Sequence, residues 1–368
     1  MTRTLRIGYI PLFDAGLLFV AAACGFDEAE GLKFELFREA SWANLRDKLA
    51  LGIYDAAHML APAVLASALG LEGFDGPNSV PMLAAAALGL DGNAISVSPA
   101  LAEAIAQQLA AFDGDRADPA ATSRAMAQIV ATRAAQYYAP MRFAHVFPYS
   151  AHHYQLRLWL QAGGGNPDAV RLMVTPPPLM QASLSGGYID GFCVGEPWNS
   201  LAQQDEAAEI LHPCRALVKN CPEKVLAFPR ETGLREPETL QAAARAVRAA
   251  AAWGEAPENK QEFAEIIAGE LGGDVTPAML SQVLSPAENG PWLRLDAAAA
   301  ALAPAQALWL YVQMALAGQT EASEAGAAAA MAAFLPQQAE NVRLPELTGA
   351  PAFDPEHWRE FLAALTSR

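Results

Sequence analysis

Six side chains able to take part in chemistry fall just after predicted strands or at the joins between them: Trp42, His58, Asn93, His152, Glu196 and Lys224. Open α/β sheets place their ligand crevices at the carboxyl ends of strands, so this distribution predicts a cleft closed from both sides. Taken singly, each also has an ordinary structural reading. Trp42 can be packing, His58 a satisfied core histidine, Asn93 a turn residue, His152 a helix cap, Glu196 a surface carboxylate and Lys224 a solvated charge. Catalysis would need an acid–base or nucleophile–base pair, for which His152 with Glu196 is the one candidate, and the chain is not expected to be an enzyme. Adjacent His152 and His153 point about 100° apart on a helix and cannot chelate together. The six histidines otherwise lack ligand spacing, so no metal is expected. GxxxxGK[ST], strand-linked GxGxxG, HExxH and GxSxG are all absent from the sequence, and no cofactor is expected.

The elements that must position these residues alternate strand and helix, the pattern of βαβ units on a mostly parallel sheet. Strands are predicted over 5–11, 33–37, 54–60 and 81–88, with helices over 15–24, 42–51 and 62–69 between them. The alternation restarts with a strand over 93–99. Helices 100–109 and 119–137, strand 142–147, helix 152–162, strand 170–175, helix 178–185 and strand 188–194 follow. Strands over 208–211 and 224–228 are expected to return to the first sheet. Residues 1–94 thus read as the first part of one lobe, 95–195 as an inserted second lobe, and 196–368 as the return plus a helical C-terminal block. That block predicts helices over 237–253, 260–271, 277–284, 296–317 and 321–334. Its run Ala297–Ala303 reads as packed helix, because alanine has the highest helix propensity.

Composition bounds the partners. The 368 residues are 53% hydrophobic and 17% charged, with 24 Lys+Arg against 40 Asp+Glu and a net charge of −16. Such a surface opposes a phosphate backbone, so direct nucleic-acid binding is not expected. The opening Met1-Thr2-Arg3-Thr4 runs straight into the first strand without a signal-peptide pattern, and the apolar stretch over 15–24 is too short to span a bilayer. A cytoplasmic location and no membrane contact are the expectations. Cys24, Cys193, Cys214 and Cys221 form no CxxC pair and read as buried free thiols.

Several segments together resemble the nitrate- and bicarbonate-binding proteins of ABC transporters and their cytoplasmic relatives, the NasS-type nitrate/nitrite sensors. They are Leu5-Arg6-Ile7-Gly8-Tyr9-Ile10-Pro11-Leu12, Ser41 to Leu49, Asp55 to Pro62, Gly92 to Ser98, Tyr149 to Trp159, Asp190 to Asn199 and Pro222 to Leu226. The resemblance covers roughly the first 230 residues, in the family's order. It implies the α/β type II periplasmic-binding-protein fold, two lobes joined by two crossovers that close on a ligand. By motif position it places an anion pocket on Trp42, Asn93, His152 and Lys224, with His58 and Glu196 beside them. Asn93 stands where the family has glutamine, one methylene longer. Nitrate, a flat monovalent anion, needs several donors and about one positive charge. On this reading Lys224 supplies the charge, Asn93 and a neutral His152 donate, and Trp42 gives a wall or its N–H. Glu196 is expected to pair with Lys224, cap a helix, or accept from a protonated ligand such as bicarbonate. Lys224→Ala is expected to abolish anion binding with the fold intact. The resemblance further implies a sensor that holds an ANTAR-type RNA-binding antiterminator regulator inactive and releases it when nitrate or nitrite binds. The alternative is the substrate-binding component of a nitrate/bicarbonate ABC transporter.

Overall fold

Arg3–Tyr9 forms β1, whose Leu5 and Ile7 face the interior between outward Thr4 and Arg6. In this computed structural model, which describes residues 2–76, 79–285, 291–336 and 342–366, β1 starts a five-stranded sheet. Gly16–Ala23 (α1) and Trp42–Ala50 (α2) make the crossovers that set Leu32–Arg38 (β2) and Ala56–Leu60 (β3) parallel to β1, with Ile7 opposite Leu36 and Ala56. Ala61–Leu69 (α3) then leads to Met82–Ala87 (β4). All of β3 and β4 is buried, the continuous apolar run expected of strands covered on both faces.

Asn93–Val97 (β5) opens a second five-stranded sheet. Pro99–Ala111 (α4), Pro119–Ala135 (α5), Arg142–His145 (β6), Ala151–Ala162 (α6), Arg171–Val174 (β7), Gly191–Gly195 (β8), Trp198–Gln204 (α7) and Glu209–Pro213 (β9) complete this lobe. The chain then re-enters the first sheet as Lys224–Pro229 (β10), antiparallel between β3 and β4. The sheet orders are β2-β1-β3-β10-β4 and β9-β5-β8-β6-β7. Two crossovers therefore join the lobes, and they run side by side. Leu88 N–H donates to the Lys224 carbonyl at 2.9 Å, and Asp91 N–H to the Cys221 carbonyl at 2.9 Å.

The strand expected over 208–211 is present at Glu209–Pro213 but lies at the edge of the second sheet, antiparallel to β5, and not in the first. Short strands carry no sequence signal for which of two sheets takes them; here β5 offers the open edge. The helix expected over 296–317 begins at Pro304 (α11, Pro304–Leu316). Residues 297–300 form a turn instead and 301–303 an irregular link, because Asp296 takes the Ala299 N–H on its side chain at 3.0 Å and the Ala300 N–H on its carbonyl at 3.0 Å. That arrangement satisfies the backbone locally and overrides alanine's propensity. Cys193, Cys214 and Cys221 are buried free thiols as expected, while Cys24 is only half-buried.

The C-terminal block wraps the first lobe. Pro237–Glu255 (α8), Lys260–Leu271 (α9) and Pro277–Leu284 (α10) cover the α1 face of the sheet, α8 burying Leu240, Ala243, Val247 and Ala251 along one stripe. Each fully buried Leu or Val contributes roughly 1.5–3 kcal/mol. On the other face α11 and Glu324–Ala332 (α12) pack over α3, and Trp358–Thr366 (α13) packs on α11. The core there continues into Val146, Tyr149 and Tyr154 of the second lobe.

Candidate ligand-binding cleft

Two helix starts face the buried junction between the sheets. Ser41 accepts from Asn44 N–H at 3.2 Å and so places Trp42 at the first position of α2; Ser150 accepts from His153 N–H at 3.2 Å and sets His152 in the first turn of α6. Trp42 is 2% exposed and stacks edge-on with His58 of β3, ring centroids 5.2 Å apart. His58 Nδ1 receives the Ile10 N–H at 3.4 Å, which leaves Nε2 facing Asp14 Oδ1, 3.0 Å away but off the line of a hydrogen bond.

Lys224, the first residue of β10, is fully buried at the junction of the lobes. Its Nζ lies 2.9 Å from Asp14 Oδ2, donates to Asn93 Oδ1 at 2.9 Å and sits 3.6 Å from Glu223 Oε2. Asn93 Nδ2 in turn donates to Gln155 Oε1 at 2.8 Å and, in a very close contact, to Glu223 Oε2. Gln155 Nε2 donates to Glu223 Oε1 at 2.6 Å. Gln155 stands three residues after His152, so both look from one face of α6. Gly195, paired with Asn93 in the β5/β8 ladder, fits because it has no side chain: a Cβ there would stand 3.1 Å from Lys224 Nζ and 3.3 Å from Asn93 Oδ1.

Burial opposes the charge on Lys224, but Asp14 and Glu223 outweigh it and hold the ammonium above its ordinary value. Burial likewise raises Asp14, and the fields of Lys224 and His58 bring it below the usual carboxylate range. Glu223 is pushed up to about 7 by burial despite Lys224 and Gln155. Glu196 also reaches about 7 by burial, against the Ser200 N–H that donates to its Oε2 at 3.1 Å. Burial first, and Lys224 second, keep His152 well below an ordinary imidazole and therefore neutral near pH 7.

Lys224, Asn93, Trp42 with His58, and His152 are all brought to the buried junction. Glu196 does not pair with Lys224; its carboxylate serves the first turn of α7, the capping role among those expected. Asp14 and Glu223 hold the ammonium instead. Asn93 is not a waiting donor, since both its N–H bonds go to protein acceptors. At this junction Trp42 Nε1, His58 Nε2 and both nitrogens of His152 have no hydrogen-bond partner among the described residues, and Glu196 Oε1 and Asp14 Oδ1 are likewise unpaired. Sequence reasoning missed Asp14, Gln155 and Glu223. A lone acid inside Leu12-Phe13-Asp14-Ala15-Gly16-Leu17 was the available signal, because a carboxylate in an apolar run demands a partner. The described residues hold no His/Cys/Asp/Glu group suited to a metal ion.

Comparison with known proteins agrees with this architecture. A bicarbonate transport ATP-binding protein, CmpC of Synechocystis sp., is 33% identical across 72% of this chain. A nitrate/nitrite binding protein, NrtA of Nostoc sp., is 31% identical across 72% of it. The chain spans only 37% and 57% of those two proteins. The crystal structure of the periplasmic nitrate-binding protein NrtA from Synechocystis shares the fold, with a TM-score of 0.75 at 24% identity, covering 100% of this chain and 90% of that one. The matching NMT1-like family extends over residues 1–268, and the chain therefore belongs to the NMT1-like family.

Proposed function

We propose that the cleft binds a small monovalent oxyanion, nitrate or nitrite, and that the protein is a cytoplasmic sensor that holds an RNA-binding antiterminator regulator until the anion binds. The observation that carries the anion reading is the buried Lys224 ammonium, flanked by the unpaired N–H of Trp42 and the neutral imidazole of His152. Two helix N-termini add partial positive charge at the same place. Because Asp14 already balances Lys224, an incoming anion is tolerated best when Glu223 and Glu196 carry protons. Affinity is therefore expected to be higher at pH 6 than at pH 8, as these carboxyls ionise through about 7. The NrtA proteins named above support a binding protein, not an enzyme. The sensor role is supported by a C-terminal block that touches both lobes and can transmit their closure. It requires the regulator to prefer the open state, since ligand shifts an equilibrium only through differential affinity.

The deciding experiment is a thermal-shift panel of nitrate, nitrite, bicarbonate, sulfate and chloride. At ~100 times its Kd a ligand adds about 2.7 kcal/mol of stability. No shift with nitrate or nitrite defeats the anion reading. Co-purification with the regulator, lost when the bound anion is added, separates the sensor from the second reading. That reading, the binding component of an importer, is favoured by the names of the relatives.

A further inference from the structure

Glu223 places a carboxylate of the chain itself among the donors of the junction. It precedes Lys224 on the return crossover, is 1% exposed, and its carbonyl takes the Ala61 N–H of α3 at 2.9 Å, so its backbone belongs to the first lobe. Its side chain reaches the second. Oε1 accepts from Gln155 Nε2 at 2.6 Å and Oε2 closely from Asn93 Nδ2, while the Lys224 ammonium stands 3.6 Å from Oε2. Both amides are aimed by contacts that do not involve Glu223. Gln155 Oε1 takes the other Asn93 N–H at 2.8 Å and faces Cys193 Sγ at 3.7 Å, which turns Nε2 toward the carboxylate; Asn93 Oδ1 accepts from Lys224 at 2.9 Å, which turns Nδ2 the same way.

Two convergent N–H donors beside an ammonium are the set that a flat monovalent anion requires. A carboxylate is itself such an anion, with two oxygens on one planar centre, the outline that nitrite and one edge of nitrate present. We propose that the Glu223 carboxylate sits in the seat of the external anion as a built-in competitor, and that binding is an exchange in which nitrite, nitrate or a small monocarboxylate takes over the N–H groups of Asn93 and Gln155. This exchange rests on the anion reading of the junction and adds to it the class of ligand and what limits affinity. Burial, with Asp91 and Asp14 adding to it and Lys224 and Gln155 opposing it, pushes the Glu223 carboxyl up to about 7. The side chain can therefore leave the donors as the neutral acid, and Lys224, already balanced by Asp14, is not asked to hold a second buried negative charge. A tetrahedral dianion matches neither the shape nor the charge of what it would replace.

Calorimetric titration with sodium nitrate, formate and sulfate tests this on the full chain, on Glu223→Gln and on Glu223→Ala, with a urea melt to show that each variant is folded. Glu223→Gln keeps the volume and removes the charge and one acceptor, and is expected to bind nitrate about tenfold more tightly than the parent. Glu223→Ala is expected to bind formate, which supplies the missing carboxylate, more tightly than the parent does; nitrate is expected to displace that formate, and sulfate is not. A carboxylate that merely braces the junction gives the opposite results. Nitrate affinity that is unchanged or lower in Glu223→Gln, no gain of formate binding in Glu223→Ala, or formate that nitrate does not displace would each overturn the competitor role. If the parent binds nitrate and these gains are missing, the anion site stands and the competitor falls; if none of the three chains binds nitrate, both fall together.

Discussion

At the scale of single residues, Lys224 is both the charge of the proposed site and a structural keystone. Its ammonium is the counter-charge for Asp14 and touches Asn93 and Glu223, all inside the protein. Lys224→Ala therefore cannot leave the fold untouched, contrary to the expectation drawn from sequence. Removing one member of a buried ion pair costs about 3–5 kcal/mol, because the partner charge stays behind. A urea melt should show a loss of that order for Lys224→Ala. In Asp14→Asn/Lys224→Met, where no buried charge is stranded, most of the loss should return while anion binding stays absent. If the single variant melts like the parent, Asp14 is not held by this lysine. The double variant matters for function as well, since it separates loss of the anion from loss of the fold.

Secondary-structure elements bring these residues together through chain reversals that leave little room. The end of β8 approaches β10 so closely that Gly195 is the residue the junction accepts. Gly195→Ala would push against the Lys224 ammonium and the Asn93 carbonyl oxygen by a few tenths of an ångström. Both are fixed by several partners and neither can swing into solvent. Anion affinity should fall by about tenfold, the effect of roughly one lost hydrogen bond, with circular dichroism unchanged; full affinity would show that the network is slack. Much of this framework was legible in the sequence. Lys260–Leu271 and Pro277–Leu284 fall where capping prolines and apolar periodicity put them, and β3, β5 and β10 end within two residues of their expected limits. Much of what was not legible depends on distant partners: the sheet that takes Glu209–Pro213 and the helix Trp358–Thr366 are decided by contacts far along the chain. The turn that replaces a helix after Asp296 is instead set by that residue's own hydrogen bonds. That Trp42, His58, Asn93, His152 and Lys224 gather at one junction was readable from their place after strands. Gln155 and Glu223 were not, because their role exists only once the two lobes meet, while Asp14 was signalled only by a lone acid in an apolar run.

Across the whole molecule the C-terminal block does more than cover the first lobe. The Tyr154 hydroxyl of α6 donates to Gln319 Oε1 at 2.7 Å, and Gln319 Nε2 donates to the Pro148 carbonyl at 2.9 Å. Gln319 follows α11, which packs on the first lobe, whereas Tyr154 and Pro148 belong to the second. The pair of bonds therefore exists only while the lobes are together, a few residues from His152. Gln319→Ala removes both, weakening the closed arrangement by about 1–2 kcal/mol without touching any cleft residue. A protein whose binding-competent state is only partly populated binds in proportion to that population. The variant should accordingly bind nitrate roughly 5- to 30-fold more weakly. Its anion-free form should show a larger radius of gyration by small-angle scattering, and saturating nitrate should restore the parent value. Unaltered affinity together with an unaltered radius would mean that closure is set by the cleft alone, and the C-terminal block would lose its place as the element that reports the state of the lobes.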